Sequence, residues 1–235
     1  MSAAREQELA ERLAAVRARI DAACTDAGRG AHEVTLVAVT KFFGAADVRA
    51  LAALGVTDVG ENRHQEAEEK AAECVDLGLR WHFVGGLQSN KAGAVARWAD
   101  VVESVDRTKL VGRLDAGAAD RDRPLDCLVQ VSLDAPGSSG ARAGCPPDEL
   151  PRLAEAVAGS EHLRLRGLMA VAPTGEDPAA AFDRLASLHA GLRADHPDAT
   201  WLSAGMSNDL EQAVAVGATH VRVGRAVLGE RPSSQ

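Results

Sequence analysis

A chain of 235 residues with 46% hydrophobic and 26% charged side chains has the balance of an ordinary globular protein and enough apolar material for a full core. The formal charge of −8 argues against a general affinity for nucleic acid or an anionic membrane surface. Four cysteines without a CxxC pair support neither a zinc knuckle nor a disulfide framework, and no stretch approaches the eighteen or so apolar residues of a membrane span, so a cytoplasmic protein with free thiols and no bound metal is expected.

The N-terminus, MSAAREQELAERLAAVRARI, is charged and helical in period, unlike a secretory signal. Over residues 5–27 the apolar positions Leu9, Leu13, Val16 and Ile20 predict one helix, stopped by Gly28 and Gly30. An alternation then begins. Strands are expected at 34–40, 56–59, 80–84, 101–104, 126–132, 163–169, 200–202 and 219–223, with helices near 45–54, 63–75, 89–99, 107–119, 148–158, 178–194 and 208–216. Strands separated by helices imply right-handed βαβ units and a parallel sheet. Eight such units in this length fit a closed (β/α)8 barrel with one extra N-terminal helix, in one domain over 1–235 with its core at about 8–231. No GxGxxG follows the first strand, which leaves a dinucleotide fold unsupported. The Gly/Ser/Pro-rich stretch 134–147 predicts an exposed, mobile loop, and the tail RPSSQ a frayed end.

Function in such a barrel sits at the carboxyl ends of the strands. The run VTLVAVTK, residues 34–41, is short and continuously apolar, as for a strand buried on both faces, and then delivers Lys41. This lysine is either a solvated charge or an amine kept for chemistry, since desolvation leaves an amine neutral and nucleophilic toward an aldehyde. Further strand ends carry Gly60-Glu61-Asn62, His82 with Gly85-Gly86, Ser104-Val105-Asp106, Ser132 and Asp134, Met169 to Pro173, Ser203 to Ser207, and Arg222-Val223-Gly224-Arg225. Ser207 stands at the N-cap of the seventh helix and Gly224-Arg225 open a short apolar helix, and the loops after strands seven and eight are common phosphate sites. Ser207 reads equally well as an ordinary cap, and Gly224 as a turn residue. Arg222, between Val221 and Val223, needs a partner if it points inward, either an acid such as Glu61 or Asp106 or a ligand. An amine beside a phosphate cradle suits an aldehyde with a phosphate handle, of which pyridoxal 5′-phosphate (PLP) is one.

LVAVTK, DVGENRHQEAEEK, WHFVGGLQSNK, ESVDRTKL, RGLMAVAP, LSAGMSNDLEQAV and VRVGRAVLGER, in this order, resemble the pyridoxal phosphate homeostasis proteins, small relatives of the alanine racemase N-terminal barrel also known as the proline synthetase co-transcribed family. The resemblance spans about residues 8–231. It implies a fold-type-III PLP barrel with Lys41 holding PLP as a Schiff base, Asn62 near the cofactor and His82 lining the same mouth. It further implies that Ser207, Met206 and Ser203 belong to the phosphate segment, that backbone at Gly224 and Arg225 holds the phosphate, and that Arg222 faces the pyridine nitrogen. A cation there disfavours ring protonation and leaves a weak electron sink. Arg225 stands where a small residue is usual, Ala204 where methionine is common, and Arg142 supplies the charge of a loop in which lysine is usual.

Two-base racemisation of the alanine racemase kind needs a tyrosine from a second domain, and this chain has no tyrosine. The expectation is therefore a monomeric PLP carrier that serves intracellular vitamin B6 homeostasis and amino-acid and keto-acid balance, with PLP-requiring apo-enzymes as recipients. The alternatives are a weak racemase-like PLP enzyme with Lys41 as its base, and a cofactor-free aldolase in which Lys41 attacks a sugar-phosphate carbonyl.

Overall fold

In a computed structural model of the chain, residues 1–135 and 143–230 are described. Arg142 and the RPSSQ tail lie outside the described residues, as does half of the Gly/Ser/Pro-rich loop, residues 136–142. The elements are α1 (Ala3–Asp26), β1 (Thr35–Val39), α2 (Ala45–Ala53), β2 (Asp58–Glu61), α3 (His64–Glu73), β3 (Arg80–Phe83), α4 (Ala92–Trp98), β4 (Val101–Val105), α5 (Thr108–Ala118), β5 (Leu125–Gln130), α6 (Leu150–Ala158), β6 (Leu163–Met169), α7 (Pro178–Asp195), β7 (Trp201–Ser203), α8 (Leu210–Ala215), β8 (His220–Val223) and α9 (Arg225–Leu228). All eight strands run parallel, each paired with the next in sequence, and β8 closes on β1 with Thr35 opposite His220 and Val37 opposite Arg222. The expected (β/α)8 barrel with its extra helix is the fold observed.

Local chemistry explains the elements. Leu9, Leu13, Val16 and Ile20 share one buried stripe of α1, and the Ser2 side chain accepts from the Arg5 amide at its start. In α7, Asp177 caps the Ala179 amide and Pro178 takes the first helical position, where no N–H is needed. Outside the barrel the strands bury Val59, Phe83, Val102, Leu168, Leu202, Val221 and Val223 against the helices. Burial of this kind is the main favourable term in forming the barrel.

The interior of the barrel is different. A small apolar patch of Val101, Leu128 and Met169 is joined there by buried Asp58, His82, Glu103, Ser203, His220 and Arg222. Such polar groups belong inside only when paired. The part of the 134–147 stretch that is described is partly docked: Cys145 bridges Val131, and Gln130 donates to the Ala143 carbonyl at 2.7 Å. Among the described residues no helix is long and apolar enough to cross a membrane.

Candidate active cavity at the barrel mouth

A cavity of about 880 Å³ opens at the carboxyl ends of β1, β2, β7 and β8, with Lys41, Asn62, Ser207, Arg222, Gly224 and Arg225 on its wall. Met206 lines it too, with the acids Asp209, Glu176 and Glu230. Because β7, β8 and β1 are consecutive neighbours in the closed sheet, the loops that carry Ser207, Gly224 and Lys41 form one arc.

Lys41 lies two residues beyond β1, half-buried. Next to it, Phe42 adopts φ of 72°, a left-handed conformation that costs a non-glycine residue roughly 1–2 kcal/mol. The Arg63 guanidinium sits 5.1 Å over the Phe42 ring and Arg5 sits 5.5 Å over Phe43, so a cation anchors each aromatic of the turn. Below the turn, Glu61 is fully buried and accepts from Thr40 Oγ1 at 2.6 Å and from Lys70 Nζ at 2.5 Å, while Lys70 also donates to the Thr40 carbonyl. Two elements, β2 and α3, thereby hold the backbone on which Lys41 is carried.

The strand β2 begins and ends two residues later than expected, so Gly60 and Glu61 belong to the strand and Asn62 is the first residue past it. The Oδ1 atom of Asn62 is buried without a hydrogen-bond partner. An unpaired buried acceptor is costly, and one on a cavity wall points to a ligand that donates to it. Gly85 backs this residue: a Cβ there would stand 2.5 Å from the Asn62 carbonyl oxygen.

Ser207 does not cap the helix after β7 as expected. The cap position is Asp209, one residue before α8, and the Ser207 hydroxyl instead accepts from the Ala226 amide at 3.4 Å, linking the loop after β7 to the start of α9. The Asp209 carboxylate accepts from the Met206 amide at 2.5 Å and closes that loop. Gly224 packs directly on β1, where a Cβ would come 3.2 Å from the Val39 carbonyl oxygen. Arg225 is exposed at the rim.

Arg222 has an acid partner, but neither Glu61 nor Asp106. Its Nη1 donates to Ser203 Oγ at 2.6 Å and lies 3.7 Å from Glu103, and its Nη2 donates to the Ala170 carbonyl at 2.8 Å. Ser203, expected in the phosphate segment, is fully buried under Arg222 and is absent from the cavity wall. His82 is likewise not where expected: it sits in the body of β3, fully buried, between Glu103 (2.7 Å) and Asp58 (3.0 Å), and does not line the mouth. Burial opposes its charge, but the hydrogen bonds and charges of the two carboxylates outweigh that and raise its pKa to about 9. Burial likewise works against ionisation of Glu103, yet His82, Arg222 and Ser203 hold its pKa down at about 2. Glu103 is the residue that sequence reasoning missed. Its signal was an acid inside the apolar run Val101–Val105.

The chain matches the family described as alanine racemase, N-terminal domain, over residues 12–232. It is 48% identical over 243 aligned residues to the pyridoxal phosphate homeostasis protein of Mycobacterium tuberculosis, covering 97% of this chain and 94% of that one. It is 38% identical to the protein of that name from Escherichia coli, covering 97% and 99%. Among solved structures, PipY of Synechococcus elongatus with PLP bound is 38% identical, with a TM-score of 0.79 over 94% of this chain and all of that one. Alanine racemase of Corynebacterium glutamicum, at 15% identity and a TM-score of 0.67 over 97% and 62% of the two chains, shares the fold alone. With a closed barrel, a mouth lysine and relatives aligned along nearly its whole length, the chain belongs to the pyridoxal phosphate homeostasis protein family, within the alanine racemase N-terminal domain fold.

Proposed function

We propose that this protein binds PLP in the cavity at the barrel mouth, holds it covalently through Lys41 Nζ, and acts in PLP homeostasis as a monomeric carrier that supplies apo-enzymes. The observation that carries the reading is the gathering of Lys41, Asn62, Ser207, Arg222 and Gly224 on one cavity wall. The residues fit the group. PLP carries an aldehyde that suits a lysine amine, a hydroxyl that suits the buried Asn62 Oδ1, and a phosphate that suits the Ser207 hydroxyl and the loops after β7 and β8. Bound PLP supplies a reactive aldehyde and an aromatic ring able to draw off electron density.

The chain's own residues limit that chemistry. Arg222, a guanidinium rather than a carboxylate, favours an unprotonated ring nitrogen and so weakens the draw on electrons. This suits holding the cofactor better than turning over amino acids. PLP in the relative PipY supports the ligand, and the name shared by the curated relatives supports the role.

The test is the visible absorbance of purified protein before and after adding PLP and then borohydride, for wild type and Lys41→Ala. The expected result is a yellow band in wild type alone, with a pyridoxyl group fixed on Lys41 after reduction. A band that persists unchanged in Lys41→Ala would refute the assignment. Size-exclusion chromatography with light scattering checks the monomer.

A further inference from the structure

A line of hydrogen bonds crosses the barrel interior beneath the cavity. Arg222 Nη1 donates to Ser203 Oγ at 2.6 Å, and Ser203 Oγ donates to Glu103 Oε2 at 2.6 Å. Glu103 Oε1 meets His82 Nδ1 at 2.7 Å, His82 Nε2 meets Asp58 Oδ1 at 3.0 Å, and Asp58 Oδ2 accepts from Thr57 Oγ1 at 2.7 Å. Strands β4 and β7 are not neighbours in the sheet, so the bond between Glu103 and Ser203 spans the interior. Along the line the charges read plus, minus, plus, minus, from Arg222 through Glu103 and His82 to Asp58. Every one of these four charged residues is buried.

Arg222 alone of the four lines the mouth cavity. The other charged and titratable groups acting on the line are few. His220 of β8 has its ring 6.0 Å from that of His82 and is kept neutral, its pKa pushed down to about 4 by burial and then by the His82 charge. Arg80 of β3 acts on Asp58 and His220 from the lower end, and Asp209 acts on Arg222 from the cavity side.

A buried array of this size is expensive, and an apolar set of similar volume commonly gives equal or greater stability. Stability alone therefore does not account for it. The geometry supplies a reason, because both Glu103 oxygens are engaged and the line terminates on the cavity wall.

We propose that Glu103 is a positioning residue: acting through Ser203, and balanced by His82 and Asp58, it fixes the Arg222 guanidinium as an oriented cation on the cavity wall before any ligand arrives. This deepens the PLP reading, since the cation it fixes is the group assigned to the ring nitrogen. The positioning itself is a property of the ligand-free protein. Arg222 has five N–H donors in a rigid plane, and the Ser203 and Ala170 contacts leave its flat fork a defined attitude that a flexible ammonium would lack.

The experiment compares wild type, Glu103→Gln, Glu103→Asp and Ser203→Ala by nitrogen-15 NMR of the ligand-free proteins, then by visible spectra after PLP is added. In wild type, the Arg222 guanidinium N–H signals are expected to be slowed and resolvable, and His82 to titrate far above neutral pH. In Glu103→Gln the Arg222 signals are expected to be lost to exchange, and the His82 midpoint to fall by about 1–3 units, the usual effect of one close opposite charge. Ser203→Ala is expected to lose the Arg222 signals while keeping the His82 midpoint, and Glu103→Asp to recover both in part. The PLP absorbance maximum should shift in Glu103→Gln and Ser203→Ala relative to wild type. Arg222 signals that survive in Ser203→Ala and in whichever Glu103 variants fold would overturn the positioning role. If wild type fails to take up PLP, the PLP reading falls, and the NMR comparison still decides the role of Glu103.

Discussion

Raising the pH from 6.5 to 9 is expected to remove stability from this fold, with His82 as the cause. In the unfolded chain an imidazole titrates near 6.5, whereas the folded His82 holds its proton to about 9. Between these values the folded state binds one proton more than the unfolded state, so unfolding becomes easier with each rise in pH. A group raised in this way stabilises the fold fully below 6.5 and loses its contribution as pH passes through 9. At 1.36 kcal/mol per unit, a difference of about 2.5 units amounts to about 3 kcal/mol. The cysteines leave most of this window clear. Burial raises the thiols of Cys24, Cys74, Cys127 and Cys145 from an ordinary value of 9.0, so they stay protonated in both states up to about pH 8 and add to the loss, with the same sign, only as pH nears 9. The sequence has no tyrosine to titrate at the alkaline end. On the acid side His220 acts with the opposite sign, because its folded value near 4 makes stability fall as pH drops from 6.5. Stability is therefore expected to be greatest near pH 6.5. The assay is urea denaturation at half-unit steps of pH, where a slope of about 3 kcal/mol per molar turns the loss into a midpoint lower by about 1 M at pH 9. A midpoint that is level or rising from pH 6.5 to 9 would refute the charge assignment of the His82 pair.

Four substitutions test other parts of the structure. Lys70→Met leaves Glu61 buried and uncompensated under the Lys41 turn and should cost about 3–5 kcal/mol in chemical denaturation, with much of it recovered in the double variant Lys70→Met/Glu61→Leu. Gly167→Ala places a methyl 1.8 Å from the Trp201 carbonyl oxygen at a φ of +149°, and should destabilise by about 3 kcal/mol or more in thermal melts; a change under ~1 kcal/mol would mean β6 and β7 are packed otherwise. Leu9→Ala empties a fully buried site on α1 and should cost about 2–5 kcal/mol if that helix is part of the cooperative unit. Ser207→Ala should weaken PLP binding on the order of tenfold by fluorescence titration, the scale of one hydrogen bond to a charged group, while moving the ligand-free melting temperature little.

Much of the fold was legible because strand and helix differ in period. The run Val34–Val39 is short, β-branched and nearly free of polar side chains, as for a strand covered by helices, and eight strands alternating with helices in this length fit a sheet closed on itself. Lys41 was legible for the same reason, as a charge at the end of a run that excludes charge. Interior partners were not. Arg222 visibly needed an acid, and Glu103 visibly sat among valines, but joining them requires the stagger of the barrel, which pairs β4 with β7 and β8 across the interior and leaves no trace in local spacing. His82 was misplaced because a four-residue strand offers no way to tell its end from its body. Ser207 was misread as a cap because the loop from Ala204 to Asp209 folds on its own Asp209 carboxylate before α8 begins. Both errors moved a residue by less than a turn of chain, and each changed its chemistry.

The first helix has a further consequence, in the order of assembly. Arg5 of α1 donates to the Leu228 carbonyl at the end of α9, Arg19 grips Glu211 of α8 with two bonds, and Arg29 just beyond α1 holds the Val214 and Ala218 carbonyls. These contacts join an early part of the chain to a late one, across 185 to 223 residues of sequence. During synthesis the lysine emerges well before the loops that complete its cavity. An unfinished chain therefore presents the Lys41 amine without the loops after β7 and β8 that wall its cavity, and ring closure at β1 and β8 completes the cavity in the same event that finishes the barrel.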